Sequence, residues 1–242
     1  MVKTYLRYQQ QDSFGVITSS TGEVLYLPSS EGRIAISATL EDVSLWNLKQ
    51  GVLVDVLRDS DNKHAVTAMT LDPHGVFLAV GYENGKIRIW DLRRREVAVI
   101  LNAHNNAVST LAYDITGAIL ASGSRDTEIV LWDVVAETGL CRLRGHKDEI
   151  TDLRFVDINI KVPISDADVV NGNVADDKVA SVRQSRVLIS SSKDTFVKVW
   201  DIDIQQCVHT LTGHKGEVWS FDVLQRPKDN YALLVTGSVD KL

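Results

Sequence analysis

Four tryptophans, Trp46, Trp90, Trp132 and Trp200, constrain this chain more than any other feature. They stand 44, 42 and 68 residues apart, the last interval being one period plus about 26 extra residues. Ahead of the later copies come His104, His146 and His214, the last two after Gly. Between His and Trp lies Ser124-Arg125-Asp126 or Ser192-Lys193-Asp194, and Ser238-Val239-Asp240 ends the series. A repeat of this length is one supersecondary unit that cannot bury its apolar face alone, so successive units must stack.

Within one copy the residues read as four short strands. Ala107–Asp114 (AVSTLAYD) alternates and then turns at Thr116-Gly117. Ala118–Ser124 (AILASGS) is small and apolar, as a strand buried on both faces would be. Glu128–Val134 (EIVLWDV) is β-branched and aromatic, and Gly139–Gly145 (GLCRLRG) reads as a polar outer strand. No segment carries a helical stripe of apolar residues.

The Gly-His, Ser-x-Asp, Trp-Asp pattern resembles that of WD-repeat β-propellers, from about Phe14 to Leu242. The resemblance implies an all-β fold: an incomplete propeller of four blades plus the first half of a fifth, in one domain. The blades are expected at about 14–50, 62–100, 104–143, 146–210 and 214–242. Further residues fall between Phe155 and Val187, placing an insertion at about 156–186. Its stretch Asp166–Lys178 is acidic, rich in Asn and Gly, and without aromatics, which suits a surface loop between two strands or a segment that orders on a partner.

In that family a turn Asp, a His, a hydroxyl and a Trp form a buried polar network. By resemblance, the third copy uses His104, Ser122, Asp126 and Trp132. The fourth uses His146, Ser190, Asp194 and Trp200. The fifth has His214, Thr236 and Asp240 and no Trp. Such a network is stable only when every member has its partner. The second copy has His64 and Trp90, with Val80 replacing the hydroxyl and Asn84 the Asp; the first keeps Trp46-Asn47 and little else, with Leu40 at the Asp position. Apolar packing is expected to hold those two blades. In propellers the residue before the turn Asp often reaches the top face. Of Glu83, Arg125, Lys193 and Val239, the two cations Arg125 and Lys193 are the candidate partner contacts.

Catalytic readings are weak. A Ser-His-Asp set that recurs beside a Trp in successive copies is a structural tetrad rather than a hydrolase triad, and no G-x-S-x-G elbow accompanies it. Gly81–Ile87 (GYENGKI) has the wrong spacing for a phosphate loop and reads as a hairpin turning at Asn84-Gly85. No zinc, C-x-x-C or EF-hand motif is present, so no metal, cofactor or small-molecule substrate is expected. Cys141 and Cys207 stand alone and are expected to pack as small apolar residues. The net charge of −6 argues against a bulk grip on nucleic acid. Arg93, Arg94 and Arg95 read as a solvated turn. With no apolar leader and no spanning run, the expectation is a soluble intracellular protein without membrane contact.

A finer resemblance joins Thr4–Tyr8, Ser13–Ile17, Gly81–Leu92, Ser122–Phe155 and Thr212–Leu224, in chain order, to the WD-repeat protein three family. That resemblance implies a nucleolar, non-catalytic scaffold subunit of the small-subunit processome, which supports pre-rRNA processing. Its implied partners are other WD-repeat and processome subunits, with the small nucleolar ribonucleoprotein and pre-rRNA reached indirectly. It also implies that the chain is the N-terminal fragment of a tandem-propeller protein, with an open sheet edge and poor solubility by itself. The alternatives are a generic WD-repeat adaptor, such as a ubiquitin-ligase substrate receptor or chromatin-complex subunit, and, less favoured, an enzyme.

Overall fold

The computed structural model describes residues 19, 23–27, 33–102, 104–162, 181–226 and 231–240. Among them every regular element is a strand. The first sheet contains β1 (Val24–Tyr26), β2 (Ile34–Thr39), β3 (Asp42–Asn47) and β4 (Val52–Leu57). The second contains β5 (Val66–Leu71), β6 (Phe77–Tyr82), β7 (Lys86–Asp91) and β8 (Glu96–Asn102). The third contains β9 (Val108–Tyr113), β10 (Ile119–Ser124), β11 (Ile129–Asp133) and β12 (Thr138–Leu143). The fourth contains β13 (Ile150–Val162), β14 (Ser181–Ser192), β15 (Val197–Asp201) and β16 (Gln206–Leu211). A two-stranded fifth sheet pairs β17 (Val218–Arg226) with β18 (Tyr231–Ser238). Strands pair antiparallel in chain order throughout, so each sheet is a meander and the whole is four propeller blades and two strands of a fifth.

Burial rises toward the middle strands. β10 is buried along its full length, whereas β16 is exposed along its full length. The core lies between blades rather than within them. Ile36, Val43 and Leu57 of the first blade meet Val66, Leu78 and Trp90 of the second. Ile87 and Ile89 meet Val108, Leu120 and Trp132. Ile129 and Leu131 meet Leu153, Leu188 and Trp200. Val187 and Val197 meet Val218 and Phe221. Each fully buried aliphatic side chain contributes roughly 1.5–3 kcal/mol, so blades hold one another in place. Two glycines permit this approach. A Cβ on Gly81 would stand 2.7 Å from Val108 Cβ, and one on Gly123 would stand 2.7 Å from Ile150 Cγ2.

The Trp-Asp dipeptide has a local mechanism. Asp91 Oδ1 accepts the N–H groups of Arg93 and Arg94, Asp133 Oδ1 those of Val135 and Ala136, and Asp201 Oδ1 those of Asp203 and Ile204. Asn47 Oδ1 does the same for Lys49 and Gln50. This Asx turn leads the chain into each outermost strand. The fourth residue after each Asp or Asn, Gly51, Arg95, Glu137 or Gln205, is left-handed, at φ 66°, 61°, 57° and 56°. Arg93–Arg95 form that turn in the second blade and are exposed, with Arg95 paired to Asp55 at 2.7 Å.

Two expectations need correction. Cys207 is exposed on β16 and does not pack as an apolar residue; Cys141 is half-buried. The insertion is also not wholly a loop. Residues 156–162 and 181–186 lengthen β13 and β14 into a long hairpin, paired from Ile150↔Ser192 to Val162↔Ser181. Residues 163–180, and with them Asp166–Lys178, lie outside the described residues, as do Thr4–Tyr8 and Ser13–Ile17.

Candidate functional site

Each complete polar network is assembled from two neighbouring strands, the turn that joins them and the segment ahead of the blade's first strand. In the fourth blade, Trp200 on β15 donates its indole N–H to Ser190 Oγ on β14 at 2.8 Å. Ser190 Oγ is also 2.8 Å from His146 Nε2, and His146 Nδ1 is 2.8 Å from Asp194 Oδ2. Asp194 further accepts the N–H groups of Lys147 and Phe196. A neutral imidazole satisfies every atom: Nδ1–H donates to the carboxylate, Nε2 accepts the serine proton, and serine oxygen accepts the indole. Burial pushes the His146 imidazole below its ordinary range, against the pull of Asp194, which agrees with that neutral form. Burial opposes the Asp194 charge, but Lys147, His146 and Phe196 outweigh it and hold the carboxyl below its usual range.

The third blade repeats the arrangement. Trp132 Nε1 to Ser122 Oγ is 3.0 Å, Ser122 Oγ to His104 Nε2 is 2.9 Å, and His104 Nδ1 to Asp126 Oδ2 is 3.0 Å. In the fifth, His214 joins Thr236 Oγ1 at 2.8 Å and Asp240 Oδ2 at 3.0 Å. Ser122 and Ser190 are fully buried and already bonded to an indole, so neither hydroxyl can meet a substrate carbonyl. The geometry is that of a structural clamp.

The first two blades are built differently. Trp46 finds a hydroxyl after all, Ser37 Oγ at 2.9 Å. The sequence signal for it was Ser37 itself, on the strand before Trp46. In the second blade His64 is exposed, and the Trp90 indole nitrogen is buried without a hydrogen bond of ordinary geometry. It lies close enough to the Tyr82 phenol to oppose that group's burial-driven rise. Arg88 is buried beside them. Its Nε stands 2.6 Å from Asp59 Oδ2, and its guanidinium lies 4.9 Å from the Tyr82 ring centroid. The 2.6 Å contact has the distance of an ion pair but not the angle of a hydrogen bond.

A second pattern runs along one rim. The first strand of each later blade carries a β-bulge that skips one residue: Thr67, Ser109, Thr151 and Trp219. A bulge re-aims its side chain. The Thr67 hydroxyl donates to the Val108 carbonyl, Ser109 to Ile150, and Thr151 to Val218 at 2.7 Å, each in the next blade. Ser19 donates likewise to Val66 at 3.0 Å. At the fifth position the residue is Trp219, half exposed.

Arg125 and Lys193 converge beside this row. Arg125 Nε lies 3.0 Å from Glu149 Oε1, and Lys193 Nζ lies 2.6 Å from Glu149 Oε2. Lys193 Nζ also stands 4.7 Å from the Trp219 ring centroid. Glu149 and Trp219 are the members that the sequence analysis missed. Together with Thr67, Ser109 and Thr151 they border an open cavity of about 370 Å³. Among the described residues no group of three or more His, Cys, Asp or Glu side chains is placed to hold a metal. No helix there is long and apolar enough to cross a membrane.

Comparison with known proteins adds lineage to geometry. The sequence model of the WDR3 first beta-propeller domain matches residues 33–242. U3 small nucleolar RNA-associated protein 12 of Saccharomyces cerevisiae is 36% identical over 256 residues, covering 92% of this chain and 22% of the yeast protein. WD repeat-containing protein 3 of Mus musculus is 38% identical over 94 residues, covering 38% of this chain and 10% of the mouse protein. This chain thus spans about a fifth of the yeast relative's length. A chain in a crystal structure of the mitotic checkpoint complex superposes with a TM-score of 0.64 at 21% identity, covering 98% of this chain and 68% of that one, a likeness of fold.

Proposed function

Because this chain belongs to the family of the WDR3 first beta-propeller domain, we propose that it is part of a non-catalytic WD-repeat scaffold subunit of the nucleolar small-subunit processome. In this reading it supports pre-rRNA processing and small-subunit assembly. One observation carries the reading: alignment to the yeast U3 small nucleolar RNA-associated protein runs through 92% of the chain rather than through one repeat. Its partners are other WD-repeat and processome subunits, and the small nucleolar ribonucleoprotein and pre-rRNA are reached through them. The rim bearing Arg125 and Lys193 is the partner-contacting surface. The burial of Ser122 and Ser190 supports the absence of hydrolase chemistry.

The test is affinity purification of the tagged chain from its own cells, with mass spectrometry of the captured proteins and microscopy of a fluorescent fusion. Nucleolar signal and capture of rRNA-processing subunits are expected. Capture of ubiquitin-ligase or chromatin subunits, with signal outside the nucleolus, would sink the reading in favour of a generic adaptor.

A further inference from the structure

We infer that the open edge of β14 between Ser181 and Arg186 takes an extended acidic segment of a partner protein as an added strand. The inference rests on the reading of this chain as a protein-binding scaffold, and it assigns that scaffold a second docking surface with its ligand class.

The site arises where a turn carboxylate is missing. Five residues after the bulges at Thr67 and Ser109 come Asp72 and Asp114. Each closes a tight turn. Asp72 Oδ1 accepts the N–H groups of Val76 and Phe77 at 2.6 and 2.7 Å, and Asp114 Oδ1 accepts that of Ile119 at 3.0 Å. The fourth blade has Val156 at that place. An aliphatic side chain accepts no hydrogen bond, and β13 runs on instead of turning. Six further pairs, from Asp157↔Arg186 to Val162↔Ser181, carry the ribbon roughly 20 Å past the blade.

β15 does not follow the ribbon. Its last pair with β14 is Val187↔Asp201, and one more bond joins the Ile202 N–H to the Arg186 carbonyl. Backbone groups of successive residues point to alternate sides of a strand. Arg186 is turned toward β15, so Gln184 and Val182 are turned to the same side. Among the described residues β14 pairs with β13 and β15 alone, and β15 has ended there. A row of backbone donors and acceptors left in this way is a template for another chain. The elements that bound this edge, β13, β15 and the turn after Asp201, all belong to the fourth blade.

Charge selects the occupant. On the ribbon Lys161, Arg183 and Arg186 stand against one carboxylate, Asp157, although the chain's net charge is −6. Arg183 pairs with Ile160 and shares its face, whereas Val182 shares the opposite face with Lys161. An added strand that alternates carboxylates with β-branched residues sets its acids beside Arg183 and its apolar residues beside Val182. Opposite charges on neighbouring strands are favourable, and like charges are not. A second copy of this edge would bring cation to cation. Single-stranded nucleic acid needs aromatic rings on which its bases stack, and residues 156–162 and 181–186 contain none.

The experiment is fluorescence anisotropy on the whole chain, joined to amide hydrogen exchange. The probes are a labelled peptide of alternating Val and Asp, the same peptide with Lys for Asp, the acidic peptide N-methylated at alternate residues, and a uridine oligonucleotide of equal length. The acidic peptide should bind and slow exchange at the Val182 and Gln184 amides. N-methylation removes the main-chain donors and should weaken binding by roughly tenfold or more. Arg183→Glu should weaken it by about threefold to tenfold, and Arg93→Glu, on a turn of the second blade, should change nothing. Circular dichroism of each variant separates lost binding from lost folding. The inference is overturned by no binding of the acidic peptide, by equal binding of its lysine or N-methylated form, or by a tighter grip on the oligonucleotide. Protection of Val182 and Gln184 that rises with protein concentration alone would assign the edge to a second copy and overturn it too. Capture of processome subunits by the unmodified chain is scored separately. If capture succeeds while the peptide fails, the docking edge falls and the scaffold reading stands.

Discussion

Ser190 Oγ lies 2.8 Å from Trp200 Nε1 across two neighbouring strands, with no solvent reaching either atom's residue to any useful degree. The single hydroxyl thus serves the indole and His146 together. Ser190→Ala leaves two buried groups without partners. An unsatisfied buried group costs about 1–3 kcal/mol, so a loss of roughly 2–6 kcal/mol is expected. Urea unfolding measures it, and a loss under about 1 kcal/mol would show that the clamp does not hold the blade.

Val80 occupies in β6 the place that Ser122 holds in β10, opposite Arg88 and Val130 respectively. Val80→Thr offers the orphaned Trp90 N–H an acceptor while losing one buried methyl. The two terms are of similar size, about 1 kcal/mol each, so near-neutral stability is expected. Val43→Thr, at an equally buried site, should cost more than Val80→Thr in the same denaturation assay.

Acid should loosen the structure from near-neutral pH. Burial lowers the imidazole pKa of both His104 and His146 in the folded state, against the pull of their Asp partners. The unfolded state then binds more protons below about pH 6.5, the ordinary histidine value. Stability is therefore fully present above that pH and declines as pH falls toward the folded-state pKa, by at most about 1.4 kcal/mol per pH unit per histidine. Melting temperature measured from pH 8 to pH 5 checks this (a rise on acidification would contradict it).

Gly123 should reject a methyl group that Gly237 accepts. Its added Cβ would meet Ile150 Cγ2 at 2.7 Å and Thr110 Cγ2 at 2.9 Å, whereas at Gly237 the nearest atom is Ser220 O at 3.7 Å. Gly123→Ala should cost about 1–3 kcal/mol through overpacking. Gly237→Ala should stay within about 0.5 kcal/mol in the same chain.

What the sequence revealed follows from how local each signal is. The tetrads of the third and fourth blades were legible because His, Ser, Asp and Trp recur at fixed offsets. Ser37 was overlooked because neither His nor Asp accompanies it. The strand continuation at 156–162 had a readable signal, since Ile158, Ile160 and Val162 alternate with Asp157, Asn159 and Lys161. The bulge row had none. Whether Thr151 or Asp152 is skipped depends on how β13 registers against β14, and one strand does not encode that alone. Glu149 likewise reads as an ordinary loop charge until Arg125, 24 residues earlier, and Lys193, 44 residues later, arrive beside it.

The hydroxyl row also gives assembly a direction. Ser19, Thr67, Ser109 and Thr151 each precede their carbonyl partners in the chain, by 47, 41, 41 and 67 residues. During synthesis every donor is therefore made first and waits for a strand the ribosome has yet to deliver. In the folded chain each hydroxyl is a peg that fixes the height of the next blade's inner strand against its own. A shifted bulge would therefore be felt in two blades at once, because the hydroxyl belongs to one and the carbonyl it meets to the next.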